Sequence, residues 1–566
     1  MKHPLSKYVP AILMWALPLL LIVPNVILDI TEQYYSVAAR IANVALPLGV
    51  YLLLMSWGRK VGRTTLFLIP VMVLCAFQIV LIYLYGESII AIDMFLNVVT
   101  TNYHEATELL RNLGVAIAVV CMLYLPPIVV GIVLCVKKRY AENAWRLLAF
   151  QTGLAVVCVG LVAFMVAFFL PGGYMPHREL FPVNVSYNMG MAGYRTVLAK
   201  EYKSSSAPFM FGAEARVDSV PQVIVLVIGE TSRADNWQLN GYCRETNPRL
   251  SHRENLVSYG KALSESNTTH KSVPLLMSHL SAENFGDSIY NVKGVISAFG
   301  EAGYHTAWIS NQQHNGSLID FFGEEADSVD FLTEDGRSHH DMEICGTLER
   351  FVSANPDKRL FAVLHTYGSH FNYTERYPRE YSRFKPDHDM QANRENRAQL
   401  VNAYDNTILY IDSMLDSVMT VLEHSGRPAA ILYQTDHGED IFDDSRERFL
   451  HASPTPTYWQ LHVPVILWLS DDYVSRHPER LEAARDHARM NVSSSRSAFH
   501  TLMSLADITT PFYDPAAALT ERNYIEPERL YVNDYNEGIP LCRAGLRKPD
   551  FQKLDSIGIE VKTGSE

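Results

Sequence analysis

Three polar segments of this sequence combine carboxylates, imidazoles and hydroxyls, and each directly follows a short apolar run. The pairs of run and polar segment are Val223–Ile228 with Gly229–Arg233, Leu360–Leu364 with His365–His370, and Ala430–Gln434 with Thr435–Asp440. Carboxylate and imidazole ligands together suit Zn²⁺ or Mn²⁺. A single acid at the end of a strand is more often a helix cap. Three such segments on one sheet favour a metal site.

A fourth polar segment is rich in hydroxyls. It runs from Ser264 to Pro274 and contains Thr268, Thr269 and Ser272. It is either a plain cap and turn or the source of a nucleophilic hydroxyl. A threonine hydroxyl is a poor nucleophile in water, and metal coordination is one way to deprotonate it. His451 adds an imidazole in a predicted loop.

The elements that position these residues alternate between strands and helices. Further apolar runs at Thr306–Ser310 and Val463–Leu469 are typical of buried strands, and Val401–Leu422 has a helical pattern. Such alternation predicts an α/β domain with a mostly parallel sheet. Ligands of such sheets bind beyond the carboxyl ends of the strands, where the polar segments lie.

The chain before Pro171 has a different character. Five uncharged runs are long enough to cross a bilayer, which takes about 20 apolar residues. They are Tyr8–Leu28, Ile41–Trp57, Thr64–Gly86, Asn112–Val136 and Leu147–Leu170. Lysine and arginine concentrate before the first run and in alternate loops, so the positive-inside rule places the N-terminus in the cytoplasm. Five crossings then put everything after Leu170 on the far side, the periplasm or exterior of a bacterium.

The sequence thus predicts three parts: a five-helix membrane domain over residues 1–170, a connector over 171–220 and a soluble domain over 221–566. The connector has a predicted amphipathic helix around Tyr187–Lys203, which either lies on the membrane or packs on the soluble domain. A formal charge of −13 argues against nucleic acid as a partner. Seven cysteines without a CxxC pair give no sign of a zinc knuckle or redox motif.

Four motifs together resemble the phosphoethanolamine transferases of the alkaline-phosphatase/sulfatase-like superfamily, a group that includes lipid A modifying and colistin (polymyxin) resistance enzymes. The motifs are Gly229–Trp237 with Asn240-Gly241-Tyr242, His365–Tyr373, Tyr404–Thr407 and Asp436–Glu439. The resemblance implies an alkaline-phosphatase/sulfatase-like α/β domain behind a five-span anchor. This sequence departs from the family pattern in two places. Family members usually have cysteines at the positions of Glu265 and Leu275, where a disulfide flanks the nucleophile loop. They also often have a cysteine-containing segment in place of Asn311–Gly316.

Carried over by motif, the resemblance implies a zinc site, with Mn²⁺ as the alternative cation. Its ligands would be Glu230, Thr269, Asp436 and His437. Thr269 takes the nucleophile position because it stands three residues before Ser272-Val273-Pro274, and Thr268 is the alternative if the alignment shifts by one.

The resemblance also implies substrate-binding residues. His370 and His451 match positions that contact the phosphate or a second metal. Asn102, Glu105 and Glu108 match a loop on the membrane side that meets the donor lipid. From the residues alone, a solvated surface helix with His104, Glu105 and Glu108 on one face is the alternative.

The implied activity is transfer of phosphoethanolamine from phosphatidylethanolamine to a cell-envelope acceptor, such as lipid A, lipopolysaccharide core or another lipid-linked glycan. It would pass through a phosphothreonine-type intermediate at the zinc site and release diacylglycerol, at the periplasmic face of the inner membrane. Two alternatives remain: a phosphoglycerol transferase of the same superfamily, and a non-catalytic lipid-binding or sensor protein on this fold. No Cys-x-Pro-x-Arg or Ser-x-Pro-x-Arg maturation motif supports a sulfatase.

Overall fold

The computed structural model of the chain divides into two compact units, Met1–Tyr194 and Arg195–Glu566. It describes residues 7–31, 36–85, 89–100, 113–170, 173–216, 220–335, 337, 339–388 and 391–561. The predicted residues Asn102, Glu105 and Glu108 lie outside these ranges.

The first unit is helical. The helices described before residue 206 are Val9–Leu21, Val23–Thr31, Val37–Ser56, Val61–Phe67, Ile69–Tyr85, Ile92–Thr100, Gly114–Val136, Asn143–Phe169, Pro176–Glu179 and Val183–Ser205. Within the described part, four helical segments are long and apolar enough to cross a membrane. A pair bent by 51° at Leu68 makes a fifth if it is one span. The run predicted at Thr64–Gly86 coincides with this bent pair.

Two of these helices approach each other closely because glycines face the contact. A Cβ atom on Gly49 would lie 2.6 Å from Val157 Cγ2, and one on Gly160 would lie 2.8 Å from Leu46 Cδ2. Without a hydrophobic driving force between helices in lipid, such small residues allow the backbone contact that holds apolar helices together. The Val37–Ser56 and Asn143–Phe169 helices are therefore suited to pack within a membrane.

The second unit is built on a seven-stranded sheet. Its strands in chain order are β1 (Val223–Gly229), β2 (Leu256–Ser258), β3 (His305–Ser310), β4 (Ser328–Phe331), β5 (Leu360–His365), β6 (Ala429–Thr435) and β7 (Val465–Leu469). Their order across the sheet is β2-β7-β6-β1-β5-β3-β4. The five strands from β6 to β4 are parallel, and β7 and β2 extend the sheet with antiparallel pairing. The predicted mostly parallel sheet is confirmed, with a mixed edge.

Burial explains why the central strands are continuous apolar runs. Every residue of β1, β5 and β6 is buried, as expected of parallel strands covered by helices on both faces. One face packs in a cluster with Phe299, Phe361 and Leu432, and the other in a cluster with Leu364, Tyr404 and Tyr433. The sheet is thus a rigid platform whose carboxyl edge carries the loops.

Helices and small strand pairs complete the second unit. The remaining helices are Thr269–Met277, Val295–Glu301, Leu318–Gly323, Met342–Ala354, Arg397–His424, Tyr458–Leu461, Asp471–Arg476, Pro478–His487, Ser494–Leu505 and Lys548–Ser556. The strand pairs are Glu214–Ala215 with Ile508–Thr509, Ala262–Leu263 with Val492–Ser493, Asp440–Ile441 with Phe449–Leu450, and Leu530–Val532 with Gly538–Pro540.

Candidate active site

Glu230, Asp436 and His437 meet at the carboxyl edge of the sheet because neighbouring parallel strands end there. β1 pairs with β6 up to Gly229 and Thr435, so Glu230 and Asp436 are the next residues on adjacent strands. His437 Nε2 lies 3.2 Å from Asp436 Oδ2 and 3.7 Å from Glu230 Oε1. All three side chains are buried.

Thr269 reaches this cluster from the first turn of the Thr269–Met277 helix. Its Oγ1 lies 3.1 Å from His437 Nε2 and 3.4 Å from Glu230 Oε1. The Thr269 residue is half-buried, whereas Glu230, Asp436 and His437 are buried. Thr268 is the N-cap, and its hydroxyl lies 3.3 Å from Ser266 Oγ. Of the two threonines, it is Thr269 that the structure brings to Glu230 and His437.

Two atoms of the cluster that can accept hydrogen bonds, His437 Nε2 and Asp436 Oδ2, face each other. The Nδ1 of His437 lies 2.9 Å from the Gly438 carbonyl, which requires a proton on Nδ1 and leaves Nε2 with a lone pair. Asp436 Oδ1 accepts from the backbone N–H groups of Thr231 and His437 at 3.1 and 2.7 Å. Asp436 Oδ2 is buried, and no well-placed hydrogen-bond donor reaches it among the described residues, although the Thr269 hydroxyl lies near enough to lower the pKa of Asp436. A buried carboxylate oxygen facing an imidazole lone pair is the environment of a cation.

The electrostatics of the cluster follow from burial. Burial raises the pKa of Asp436, and the adjacent Glu230 carboxylate raises it further. Burial lowers the pKa of His437, as do the nearby histidines. A neutral imidazole is the form that binds metals. One nitrogen and several oxygen donors within this spacing fit Zn²⁺ and also Mn²⁺.

A second imidazole, that of His451, lies beside the cluster of Glu230, Thr269, Asp436 and His437. Ligand atoms of Glu230, His437 and His451 fall within 4.8 Å of one another, and the rings of His437 and His451 are 4.2 Å apart. His451 Nδ1 lies 3.2 Å from Glu439 Oε2. A carboxylate on one ring nitrogen fixes the tautomer and aims the other nitrogen, as in many metal sites.

His370 lies next to His451. Its ring is 5.8 Å from that of His451, and its Nδ1 is 2.6 Å from the Phe371 carbonyl. The loop that carries it passes so close to β1 that a Cβ on Gly368 would lie 2.5 Å from the Glu230 carbonyl, and Gly368 has a φ of +56°. Only glycine tolerates both conditions. The structure thus brings six of the predicted residues together: Glu230, Thr269, His370, Asp436, His437 and His451.

Two residues with contacts to this site were not predicted from the sequence. Glu439 orients His451 and accepts a hydrogen bond from the Tyr373 hydroxyl. Gln312 donates from Nε2 to Glu230 Oε2 at 3.3 Å. Both follow the strand-end rule, since Glu439 lies in the segment after β6 and Gln312 lies two residues after β3. His365, by contrast, sits in the core beside Ser310, where burial lowers its pKa to about 3.

A buried ion pair between Arg233 and Asp443 adjoins the site. Arg233 Nη1 binds Asp443 Oδ2 at 2.8 Å, with both side chains buried. Its guanidinium lies over the rings of Tyr404 and Trp459. Burial alone would lower the pKa of Arg233, but the neighbouring groups Asp443, Tyr404 and Asp235 together raise it above its ordinary value. This Arg233–Asp443 cluster stabilises the loop that follows Glu230.

Comparison with known proteins gives the same picture. The sulfatase family model matches residues 222–508. Phosphoethanolamine transferase EptA from Escherichia coli (strain K12) is 28% identical over 404 residues, which cover 67% of this chain and 72% of EptA. Kdo(2)-lipid A phosphoethanolamine 7''-transferase from Salmonella typhimurium is 28% identical over 301 residues, covering 51% of this chain and 52% of that protein.

Solved structures match in fold. The integral membrane protein lipooligosaccharide phosphoethanolamine transferase A from Neisseria meningitidis has a TM-score of 0.69 at 22% identity, over 91% of this chain and 99% of its own. The zinc complex of the C-terminal periplasmic domain of EptC from Escherichia coli has a TM-score of 0.54 at 24% identity, over 61% and 98%. The chain belongs to the sulfatase family and, within it, resembles the phosphoethanolamine transferases, as its motifs predict.

Proposed function

We propose that this protein transfers phosphoethanolamine from phosphatidylethanolamine to a lipid-linked acceptor of the cell envelope. The observation that carries the proposal is the hydroxyl of the half-buried Thr269, 3.1 Å from His437 Nε2 and 3.4 Å from Glu230 Oε1. The names of the curated relatives support the transferred group, and one names Kdo(2)-lipid A as acceptor. Lipid A, core sugars and other lipid-linked glycans are therefore the acceptor class.

Zinc is the proposed metal, held by Glu230, Asp436, His437 and Thr269, with Mn²⁺ as the alternative. The buried Asp436 Oδ2 and the neutral His437 provide the donor set. The zinc complex of the EptC domain supports this choice. When bound, the metal would lower the pKa of the Thr269 hydroxyl and offset negative charge on the phosphoryl oxygens.

The proposed reaction consists of two displacements at phosphorus, and each of these residues has a separate role in them. Thr269 Oγ1 attacks the phosphorus, the bond from phosphorus to the diacylglycerol oxygen breaks, and phosphoethanolamine stays on Thr269. His451 or His370 gives a proton to the departing diacylglycerol oxygen. An acceptor oxygen next attacks the same phosphorus and gives its proton to that histidine, the bond to Thr269 breaks, and Thr269 Oγ1 takes back from solvent the proton that it lost before its attack. Glu439 supports these steps by keeping the His451 ring in one orientation.

The helical unit is proposed as a five-span anchor in the inner membrane with the second unit in the periplasm. The distribution of lysine and arginine supports this orientation, and the bent helix pair supplies the fifth crossing. Anchoring confines catalyst and lipid substrates to one surface, which raises their effective concentration. Asn102, Glu105 and Glu108 are proposed to contact the donor headgroup, and residues 171–220 to connect the two parts.

The test uses the full-length protein in detergent with zinc and headgroup-labelled phosphatidylethanolamine or phosphatidylglycerol. We expect diacylglycerol release from the first lipid and a labelled Thr269 adduct. Thr269→Ala should reduce release at least about a thousandfold because it removes the nucleophile. Thr268→Ala is the matched control and should keep the activity.

Other outcomes contradict the proposal in different ways. Preference for phosphatidylglycerol would make the protein a phosphoglycerol transferase. Release that is unchanged in Thr269→Ala would exclude Thr269 as the nucleophile. No release from either lipid, together with no zinc binding, would leave a lipid-binding or sensor protein. Mass spectrometry of envelope lipids from cells with and without the gene identifies the acceptor by its added phosphoethanolamine.

A further inference from the structure

Gln312 connects three strand ends at the active site. It follows β3 by two residues, and its Nε2 donates to Glu230 Oε2 at 3.3 Å and to the Thr366 carbonyl at 2.9 Å. Glu230 follows β1 and Thr366 follows β5, the strand between β1 and β3. The Gln312 side chain therefore extends across the end of β5 to reach Glu230.

The backbone of Gln312 is fixed on both sides. Its N–H donates to Ser310 Oγ at 3.1 Å, and its carbonyl accepts from Thr333 Oγ1 at 3.2 Å. With the main chain held and both side-chain contacts made by one amide nitrogen, the amide has a single orientation. It is a preformed donor aimed at Glu230.

This donor makes the two oxygens of Glu230 unequal. Oε2 accepts from Gln312. Oε1 accepts from the Thr231 hydroxyl at 2.7 Å and faces Thr269 Oγ1 and His437 Nε2. Only Oε1 is directed into the cluster of Thr269, Asp436 and His437.

We propose that Gln312 is a positioning residue that makes Glu230 a single-oxygen ligand and thereby sets which metal the site prefers. The inference rests on the metal site of the proposed function. The Thr231 hydroxyl on Oε1 can rotate its proton away, whereas the Gln312 amide N–H cannot leave Oε2 in this way and opposes cation binding there. Glu230, Thr269, Asp436 and His437 therefore offer one atom each. Four ligands suit zinc, which favours tetrahedral sites, whereas Mn²⁺ favours six oxygen-rich ligands.

The test compares Gln312→Met with Gln313→Met, the same change at the exposed neighbouring glutamine. Methionine has about the length of glutamine but donates no hydrogen bond. The full-length, metal-free proteins are titrated with zinc and with manganese against a chromophoric chelator. We expect Gln312→Met to weaken zinc binding by about 10- to 100-fold, the usual effect of removing a hydrogen-bond partner of a metal ligand. Manganese binding should weaken less, so the zinc-to-manganese preference falls, and Gln313→Met should match the parent protein.

Two results would overturn the inference. One is zinc affinity of Gln312→Met equal to that of Gln313→Met. The other is an equal loss for zinc and manganese, which would show a general disturbance of the site rather than a change in the Glu230 ligand.

Folding is checked separately because Gln312 also contacts Thr366. Thermal unfolding of the metal-free variants reports this contribution. If Gln312→Met fails to fold, Gln312→Asn replaces it, since asparagine keeps the amide but is one methylene too short to reach both acceptors. We expect weakened zinc binding in that variant as well, and parent-like affinity would overturn the inference.

The inference on Gln312 and the proposed lipid transfer can be contradicted independently of each other. A protein that releases no headgroup but loses zinc affinity selectively in Gln312→Met would contradict the proposed function and keep this inference. An active protein with unchanged zinc affinity in that variant would do the reverse.

Discussion

Two groups of buried charges lie beside each other on the carboxyl edge of the sheet, and they are completed in opposite ways. In the Arg233–Asp443 cluster, the carboxylate has Arg233 on one oxygen and Arg397 on the other, each at 2.8 Å. In the active-site cluster, Glu230 and Asp436 lie near each other and near His437 Nε2, and among the described residues no cationic side chain pairs with them as Arg233 pairs with Asp443.

The difference distinguishes charged groups that are paired within the fold from charged groups that are available to bind a ligand. A buried carboxylate that has its own cation is neutralised within the fold, and removing that cation alone is strongly destabilising. A pair of buried carboxylates without one raises the free energy of the folded protein until a ligand arrives. Breaking each cluster should therefore have opposite consequences for stability and for metal binding.

The largest effect is expected from Arg233→Met. This change leaves Asp443 buried beside only the half-exposed Arg397, and removing one partner of a buried pair costs about 3–5 kcal/mol. Thermal or denaturant unfolding of the metal-free protein measures it. An unfolding free energy equal to that of the parent would show that the Arg233–Asp443 cluster is not structural.

Asp436→Asn sharpens the comparison because it should separate binding from stability. Asparagine Oδ1 keeps both backbone hydrogen bonds, and its amide can donate to the His437 nitrogen that lies 3.2 Å from Oδ2. We expect zinc affinity to fall at least about 100-fold with loss of a charged ligand, while the metal-free protein is no less stable.

Asp443→Asn is the matched control for that experiment. Here the amide would face a guanidinium, so the metal-free protein should lose stability, by about 1–3 kcal/mol for an unsatisfied buried group. If both variants lose stability equally, the distinction between the clusters is wrong.

A smaller effect is expected from Glu439→Gln. The amide can present an N–H group to His451 Nδ1, which removes the preference for one ring tautomer. We expect turnover to fall about 10- to 100-fold, as for other residues that orient a site imidazole. Steady-state headgroup release with zinc present measures this, and Tyr373→Phe, which removes the other hydrogen bond to Glu439, controls for loss of packing. Unchanged turnover in Glu439→Gln would show that the orientation of His451 does not limit the reaction.

The smallest effect is expected from Arg397→Gln. The Arg397 side chain is 40% exposed, so solvent screens its pairing with Asp443 and the loss should be about 1 kcal/mol or less. Unfolding of this variant beside Arg233→Met compares the outer and inner cations of the same carboxylate. A larger loss than in Arg233→Met would reverse their assigned roles.

Much of the sheet was predictable because its strands are buried on both faces. The runs Val223–Ile228 and Leu360–Leu364 became β1 and β5, each with one added residue. By contrast, β2 and β4 are short, and β4 has exposed and half-buried residues. Such strands lack a continuous apolar run, so the sequence pattern did not reveal them.

The candidate site was predictable as far as strand ends determine position. Glu230 and Asp436 follow adjacent parallel strands, so their meeting follows from sheet order alone. Gln312 was not predicted because an amide at a strand end has no distinctive spacing, and its role depends on the exact reach of its side chain to Glu230. Thr269 required a motif, because the loop from Ser264 to Thr268 brings it to the site without any strand of the main sheet.

The register of β1 against β6 has a consequence for how the protein acquires its metal. Glu230 and Asp436 are 206 positions apart in sequence, and they become neighbours only after β1 and β6 have paired. An unfolded or half-assembled chain contains no preformed site, so the free energy of ion capture stabilises the native state alone. Ion occupancy would then report completed folding, and under the proposed function a newly made chain would stay inert towards membrane lipids until its sheet is assembled.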